Sequence, residues 1–115
     1  MAITQSQASP GSLGAQMATG SYFDDAASPV AAVITIGFKP RYVRVDNVTD
    51  RILIEWYQGM SETTDTCIKT AAAGTRTIET TNKGFLIAAN AFTISNNATL
   101  AVLVQNKQLR WFAMS

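Results

Sequence analysis

The sequence contains no histidine, one cysteine and few charged residues, and each shortage excludes a class of site. Without histidine, the chain lacks the commonest general base, the commonest metal ligand and the usual pH switch. Cys67 alone cannot form an intrachain disulfide or a Cys-rich metal site, and we expect it to be a small buried hydrophobic residue. Charged residues make up 15% of the chain and the net charge is +1, whereas a typical domain has about 25% charged residues. Much of the surface must therefore be covered by Thr, Ser, Asn and Gln, or by partners.

Long apolar runs are also missing. No stretch approaches the roughly 18 consecutive apolar residues of a membrane span, and residues 1–20 lack the basic and apolar regions of a secretory signal peptide. We therefore expect a soluble protein with no membrane partner and no Sec-type export. Asn47-Val48-Thr49 and Asn97-Ala98-Thr99 match the glycosylation sequon, but in such a protein they are expected to be turns.

Residues 1–29 form a predicted N-terminal arm that is largely extended. The first 23 residues carry no charge and are rich in Ala, Ser, Gln, Gly and Thr, with Pro10-Gly11 as a turn signal. Two interpretations stay open: a flexible tail, or an arm that orders on a neighbouring chain and pairs with its sheet edge. A short helix over residues 12–19 is also compatible with the composition. The apolar residues that could anchor such an arm are Leu13, Met17, Tyr22 and Phe23.

Residues 30–115 have the texture of an all-β domain of about eight strands, a spacing typical of sandwiches and barrels. Residues 30–38 are predicted to be a long strand with Ile34, Ile36 and Phe38 on one face. Residues 41–47 and 51–58 alternate between apolar and polar side chains and should form a hairpin, which is followed by a polar loop at 59–65 that stands off the sheet. The remaining predicted strands are 67–70, 75–80, 85–88, 92–95, 100–104 and 109–113, the last two forming a final hairpin whose second strand is the terminal element of the sheet.

Catalytic constellations are hard to find in this sequence. A Ser-His-Asp type of nucleophilic triad is excluded because the chain has no histidine, and the sequence contains no glycine-rich phosphate loop. Glu55 and Glu79 could form a glycosidase-like carboxylate pair if their strands were neighbours. A chain of 115 residues, however, has little room for both a core and a substrate cleft. We predict a protein that is not an enzyme and that uses no metal and no cofactor.

Binding functions fit the composition better. Arginines near Tyr42, Tyr57 and Trp111 could form a nucleic-acid surface, but acidic residues are interleaved with them, as in Arg44-Val45-Asp46, which favours ion pairs over a phosphate track. No nucleic-acid partner is therefore expected. Carbohydrate binding by an exposed Trp or Tyr stays open, although Trp56 and Trp111 are expected in the core. A module that binds copies of itself and a lattice accounts best for the uncharged surface.

Three segments resemble small virion structural proteins of tailed bacteriophages, most closely the capsid decoration or cement proteins. They are Ile36-Gly37-Phe38-Lys39-Pro40-Arg41-Tyr42-Val43-Arg44-Val45-Asp46-Asn47, Glu55-Trp56-Tyr57-Gln58-Gly59-Met60 and Ala72-Ala73-Gly74-Thr75-Arg76-Thr77. The resemblance covers about residues 36–115. It implies a jelly-roll-like antiparallel β-sandwich, assembled as a homotrimer and seated on the outer capsid surface of a virion made in the cytoplasm of a bacterial host. The implied partners are the major capsid protein and other copies of this chain.

The predicted protein interface combines the arm and the polar loop. In the arm the expected contacts are Leu13, Met17, Tyr22 and Phe23, and in the loop they are Met60 and Glu62. A tail, neck or fibre-base component of a phage is the nearest alternative function, since it shares the β-sandwich and the oligomeric habit. A carbohydrate-binding β-sandwich module is the alternative from another class.

Overall fold

The computed structural model describes residues 16–25 and 30–115, and this part of the chain contains nine β-strands and no helix. All of its strand pairs are antiparallel, so the predicted all-β antiparallel fold is confirmed, while the jelly-roll connectivity stays a prediction. The strands are β1 (Met17–Phe23), β2 (Ala32–Thr35), β3 (Tyr42–Asn47), β4 (Ile52–Tyr57), β5 (Thr66–Thr70), β6 (Arg76–Thr80), β7 (Phe85–Ile87), β8 (Ala91–Ile94) and β9 (Gln108–Met114).

The strands form one curled sheet, in the order β1-β9-β3-β4-β5-β7-β8-β2, with β6 paired to β5. Curling brings the inward side chains of distant strands together, as in a half-barrel. Phe92 of β8 thus packs edge-on against both Phe85 of β7 and Trp111 of β9, with ring centroids 5.8 and 5.7 Å apart. Trp56 of β4 is fully buried, and Trp111 packs against the same core, as expected for both tryptophans.

The predicted hairpin of residues 41–47 and 51–58 is present as β3 and β4. Val43 lies opposite Trp56 and Val45 lies opposite Ile54, and all four side chains are fully buried. Because successive residues of a strand point to opposite faces, the intervening side chains lie on the other side of the sheet. Period-2 alternation in the sequence therefore identified both the strands and their inward face.

The possible helix over residues 12–19 is wrong where it can be checked, because Met17–Phe23 form β1. Residues 12–15 lie outside the described part of the chain. β1 pairs with β9 along its whole length, from Met17 opposite Met114 to Phe23 opposite Gln108. Residues 17–23 of the predicted arm are thus a strand of the chain's own sheet, held there by ladder hydrogen bonds and by the inward packing of Ala18 and Tyr22.

The predicted final hairpin is also wrong. β9 pairs with β3 and β1, so it lies inside the sheet and is not its terminal element. Residues 100–104 are not a strand, although Leu100, Val102 and Leu103 are buried in the core. Ala101, between Leu100 and Val102, has φ +56°, a left-handed conformation that does not fit a β-ladder. The apolar run is buried without forming a strand, because its backbone is irregular.

The first predicted strand, residues 30–38, is shorter than expected, since only Ala32–Thr35 pair in the sheet. The N–H groups of Ile36 and Gly37 both donate to the Asn90 carbonyl, and Gly37 adopts φ +85°, which turns the chain away from the ladder. The predicted faces are nevertheless correct, because Ile34 and Ile36 pack against the core and Phe38 is buried in it.

Both sequon asparagines act as turn residues, as predicted. The Asn47 side-chain oxygen accepts the Asp50 N–H at 3.0 Å, and the Asn97 side-chain oxygen accepts the Thr99 N–H at 2.9 Å. Cys67 is a fully buried thiol, and burial raises its pKa to about 12, so it behaves as the small hydrophobic residue that its β-branched neighbours indicated.

Candidate interaction surface on the outer face of the sheet

The face of the sheet turned away from the core carries rows of large side chains. In register across four strands, Met17 of β1 lies beside Met114 of β9, which lies beside Tyr42 of β3 and then Tyr57 of β4. We call this apolar line the outer row. It arises because each of these residues alternates with a buried neighbour on its own strand.

Three aromatic rings form a cluster within and beside the outer row. The ring centroid of Tyr42 lies 5.1 Å from that of Tyr57 and 6.3 Å from that of Phe112, in tilted arrangements that aromatic pairs favour. Tyr57 remains 43% exposed. The cluster therefore offers an aromatic surface to solvent or to a partner.

Glu55 lies beneath this cluster and is held by it. One carboxylate oxygen of Glu55 accepts hydrogen bonds from the Tyr42 hydroxyl, at 2.7 Å, and from the Tyr57 hydroxyl, at 3.2 Å. The other carboxylate oxygen lies 3.7 Å from a guanidinium nitrogen of Arg76. The Glu55 side chain is only 11% exposed. Burial and the hydrogen bond to Glu55 raise the pKa of Tyr42 above its ordinary value of 10.0, and the Glu55 charge raises that of Tyr57. Both hydroxyls thus remain donors at neutral pH.

The carboxylate pair that Glu55 and Glu79 could have formed on neighbouring strands is absent. β5 lies between β4, which carries Glu55, and β6, which carries Glu79. Glu55 lies opposite Ile68, and Ile68 lies opposite Ile78, so these three side chains are on the same face of the sheet. Glu79 follows Ile78 on β6 and therefore points to the opposite face. Glu79 instead lies 3.8 Å from Lys83. Among the described residues, moreover, no three His, Cys, Asp or Glu side chains are grouped as metal ligands would be.

Arg44 and Asp46, two charges on the outer face, are paired with each other. Arg44 lies two residues from Asp46 on the same strand, and their side chains form an ion pair at 3.1 Å. The expected pairing of interleaved charges is therefore present, although it runs along a strand and not across two strands. Arg110 of β9 lies opposite Asp46 in register and is exposed on the same face, so the face presents a cationic group beside its apolar and aromatic side chains.

Exposed aliphatic side chains extend the face onto β6. Ile78 is 72% exposed and lies opposite Ile68 of β5. A shallow hollow of about 240 Å³ beside it is lined by Ile68, Arg76 and Thr77. Together with the outer row, these residues give the sheet face a set of exposed apolar side chains.

Two of the predicted arm contacts lie on this face and one does not. Met17 and Phe23 are 64% and 55% exposed and occupy the outer side of β1. Tyr22 points to the other side and packs against the core, and its hydroxyl donates to Asp24 at 3.3 Å. Leu13 lies outside the described residues.

The two predicted loop contacts are tied to the body of the protein. Met60 packs against the core, and its sulfur accepts the Tyr57 N–H at 3.3 Å. Glu62 forms an ion pair with Lys39 at 2.7 Å, and its carbonyl accepts the Ile87 N–H. The indole of Trp56 also donates to the Ser61 carbonyl at 3.0 Å. The loop at 59–65 was expected to stand off the sheet, but these bonds hold it against the core.

The aromatic and carboxylate cluster does not stand out as a unit in the sequence. The alternation of residues 41–47 and 51–58 places Tyr42, Glu55 and Tyr57 on the face away from the buried Val43, Val45 and Ile54, and the hairpin was predicted. Pairing the two strands in register would have placed Tyr42 opposite Tyr57, as it is in the structure. Phe112 could not be found in this way, because its strand was assigned to the wrong partner.

Within the described residues, no helix has the length and apolar character needed to cross a membrane. Comparison of the chain with protein-family models, with curated proteins and with solved structures gave no match to any of the three.

Proposed function

We propose that this chain is a structural protein of a tailed-phage virion that binds the outside of the capsid lattice as a decoration protein, without catalysis. The observation that carries the proposal is the outer face of the sheet, where large apolar and aromatic side chains lie exposed on a well-packed domain. Contiguous apolar patches on soluble proteins mark binding surfaces. The resemblance of residues 36–115 to decoration proteins supplies the partner, the major capsid protein.

Mass action explains how such a protein would act. A module that binds the assembled lattice, and not its dissociated subunits, stabilises the lattice by its binding free energy at each site. A rigid sheet suits this role, because little conformational entropy is lost when a preformed surface docks. The hydrogen bonds that Trp56 and Ile87 donate to carbonyls of the 59–65 loop hold this loop in one conformation before binding.

Co-sedimentation with empty capsids of the parent particle tests the proposal. Ile78→Lys introduces a charge at an outer-face residue that is 72% exposed, whereas Val48→Lys does so in the turn after β3, at a residue 50% exposed. We expect the wild-type protein and Val48→Lys to sediment with capsids and Ile78→Lys to remain in the supernatant. Binding to tail tubes alone would overturn the capsid role in favour of a tail component. Binding to neither particle would overturn the virion role.

A saccharide-binding module is a second candidate, favoured by one observation. Tyr57 exposes 43% of its surface beside a carboxylate and a guanidinium, a combination that can stack on a sugar ring and bond its hydroxyls. Screening the wild-type protein and Tyr57→Ala against a glycan array tests it. Glycan binding that Tyr57→Ala abolishes would support this candidate, and an array without wild-type binding would eliminate it.

A further inference from the structure

Among the sheet edges in the described part of the chain, β1 is the one that is neither short nor charged. It is seven residues long and contains no charged residue and no proline. β2 has only four residues, and β6 carries Arg76 and Glu79. Short length and charge are the usual devices that keep edge strands from associating. Of the described edges, β1 is therefore the one suited to a strand partner.

The backbone of β1 has hydrogen-bonding groups directed toward such a partner. Ser115 N–H donates to the Gln16 carbonyl at 2.9 Å, which makes these two residues a hydrogen-bonded pair of the β1–β9 ladder. Hydrogen-bonded pairs alternate with non-hydrogen-bonded pairs along an antiparallel ladder. The backbone N–H and C=O groups of Ala18, Gly20 and Tyr22 therefore also point toward β9. The N–H and C=O groups of the residues between them point to the open edge. These residues are Met17, Thr19, Ser21 and Phe23.

The side chains of β1 are arranged symmetrically about Gly20. Counting outward in both directions, Thr19 and Ser21 are small hydroxyl residues, and Met17 and Phe23 are large apolar residues. Thr19 and Ser21 are exposed, and Met17 and Phe23 are 64% and 55% exposed. The order of polar and apolar positions is therefore the same when the strand is read in either direction.

We propose that two copies of this chain associate by antiparallel pairing of β1 with β1 about a twofold axis at Gly20. In that register Met17 lies opposite Phe23 of the second copy, and Thr19 lies opposite its Ser21. All four residues carry the outward backbone groups, so each of these pairs exchanges two hydrogen bonds. The same patch serves both subunits, as twofold contacts require.

The pairing would also complete the outer row. Phe23 of the second copy would cover Met17, which already lies beside Met114 and Tyr42 in register. A continuous apolar line would then cross the interface. In any other register that still pairs residues with outward backbone groups, the two strands overlap over fewer residues, and Met17 no longer lies opposite Phe23. The register centred on Gly20 is therefore favoured.

The proposed contact is a single pair of seven-residue strands, each roughly 23 Å long. A contact of one strand pair is small, since stable interfaces bury about 800 Å² on each partner. We therefore expect a concentration-dependent association. A twofold contact alone gives a dimer, and combined with the expected homotrimer it gives a six-chain particle. In either case the number of chains is even. This association involves no capsid and goes beyond the proposed function, so either can fail without the other.

Light scattering of the full chain over a concentration series tests the inference. The double variant Thr19→Lys/Ser21→Lys places like charges opposite each other in the proposed register, which destabilises strand pairs. The control Thr75→Lys/Thr77→Lys adds the same charge at exposed threonines in and next to the β6 edge. We expect an even-numbered assembly for the wild type and the control, and at least about a tenfold weaker association for the β1 variant.

A charge-swap experiment separates the interface from general damage. Thr19→Glu/Ser21→Glu should also dissociate on its own, and an equimolar mixture with the lysine variant should recover the wild-type mass. Far-UV circular dichroism verifies that each variant retains its sheet. A wild-type protein that stays monomeric or trimeric at every concentration would overturn the inference, and so would an even assembly that the lysine variant leaves intact.

Discussion

Replacing Asn47 by alanine should be one of the most damaging single substitutions of a polar residue in this protein. The Asn47 side chain is fully buried and makes three hydrogen bonds. Its amide nitrogen donates to the Ala101 carbonyl at 2.8 Å and to the Asp50 carboxylate at 3.1 Å, and its oxygen accepts the Asp50 N–H at 3.0 Å. It thereby joins the β3–β4 turn to the irregular segment around Ala101.

The expected loss follows from these contacts. Each hydrogen bond contributes about 1 kcal/mol to stability, and a buried group left without a partner costs about 1–3 kcal/mol. The bond to Asp50 is discounted because that carboxylate is partly solvated, with a side chain 37% exposed. We expect Asn47→Ala to lower the free energy of unfolding by about 3 kcal/mol, which is a large part of the roughly 5–15 kcal/mol of a typical domain.

Urea unfolding monitored by tryptophan fluorescence measures this loss, with the slope of the transition checked for two-state behaviour. Asn97→Ala is the matched control, since Asn97 also holds a turn through its side-chain oxygen but is not fully buried. Its expected loss is about 1 kcal/mol. A loss for Asn47→Ala no greater than that for Asn97→Ala would refute the assignment of Asn47 as the buried link between the two segments.

Three further predictions concern the sheet and its buried groups. A β-carbon on Gly20 would lie 2.5 Å from the indole of Trp111, so Gly20→Ala should cost about 1–3 kcal/mol through overpacking, and an unchanged urea midpoint would contradict this. Cys67, with a pKa raised to about 12, should react with a chromogenic disulfide reagent only as fast as the protein unfolds; rapid labelling of the native protein would contradict its burial. Unfolded tyrosines ionise near pH 10, whereas Tyr42 bonded to Glu55 ionises at higher pH, so stability should fall as the pH rises above about 10. Tyr42→Phe should reduce this fall in urea titrations at rising pH, and an equal fall in both proteins would contradict the link.

The sequence predicted most reliably what depends on neighbouring residues. Alternation over β3 and β4 gave the strands, their turn and their buried faces, because a two-residue period is a local property. The partner of β9 is a long-range property, and no local pattern distinguished pairing with residues 100–104 from pairing with β3. The apolar run around Val102 is buried in either arrangement. Its irregular backbone depends on contacts such as the Asn47 bond to Ala101, across 54 residues of sequence.

The difference between local patterns and long-range strand pairing also explains why the predicted contact residues of the arm do not all lie on one face. Met17, Tyr22 and Phe23 were grouped because they are apolar residues in an uncharged segment. Once the segment is a strand, alternation separates them, with Tyr22 directed to the core and the other two directed outward. Apolar character alone could not make that division, since it requires knowing that β9 offers an edge to pair with.

This division decides how a role for the arm can be tested. Deleting residues 1–23 would remove β1 and expose the edge of β9, so lost capsid binding would not distinguish a missing contact from a disrupted sheet. Met17→Ser and Phe23→Ser change only outward side chains and leave the ladder and the inward packing of Tyr22 in place. If these substitutions abolish capsid binding while the urea midpoint stays unchanged, the outer side of β1 is a contact surface. If binding persists, the outer side of β1 is not a capsid contact, and what the described part of the arm contributes to the fold is the strand that covers β9.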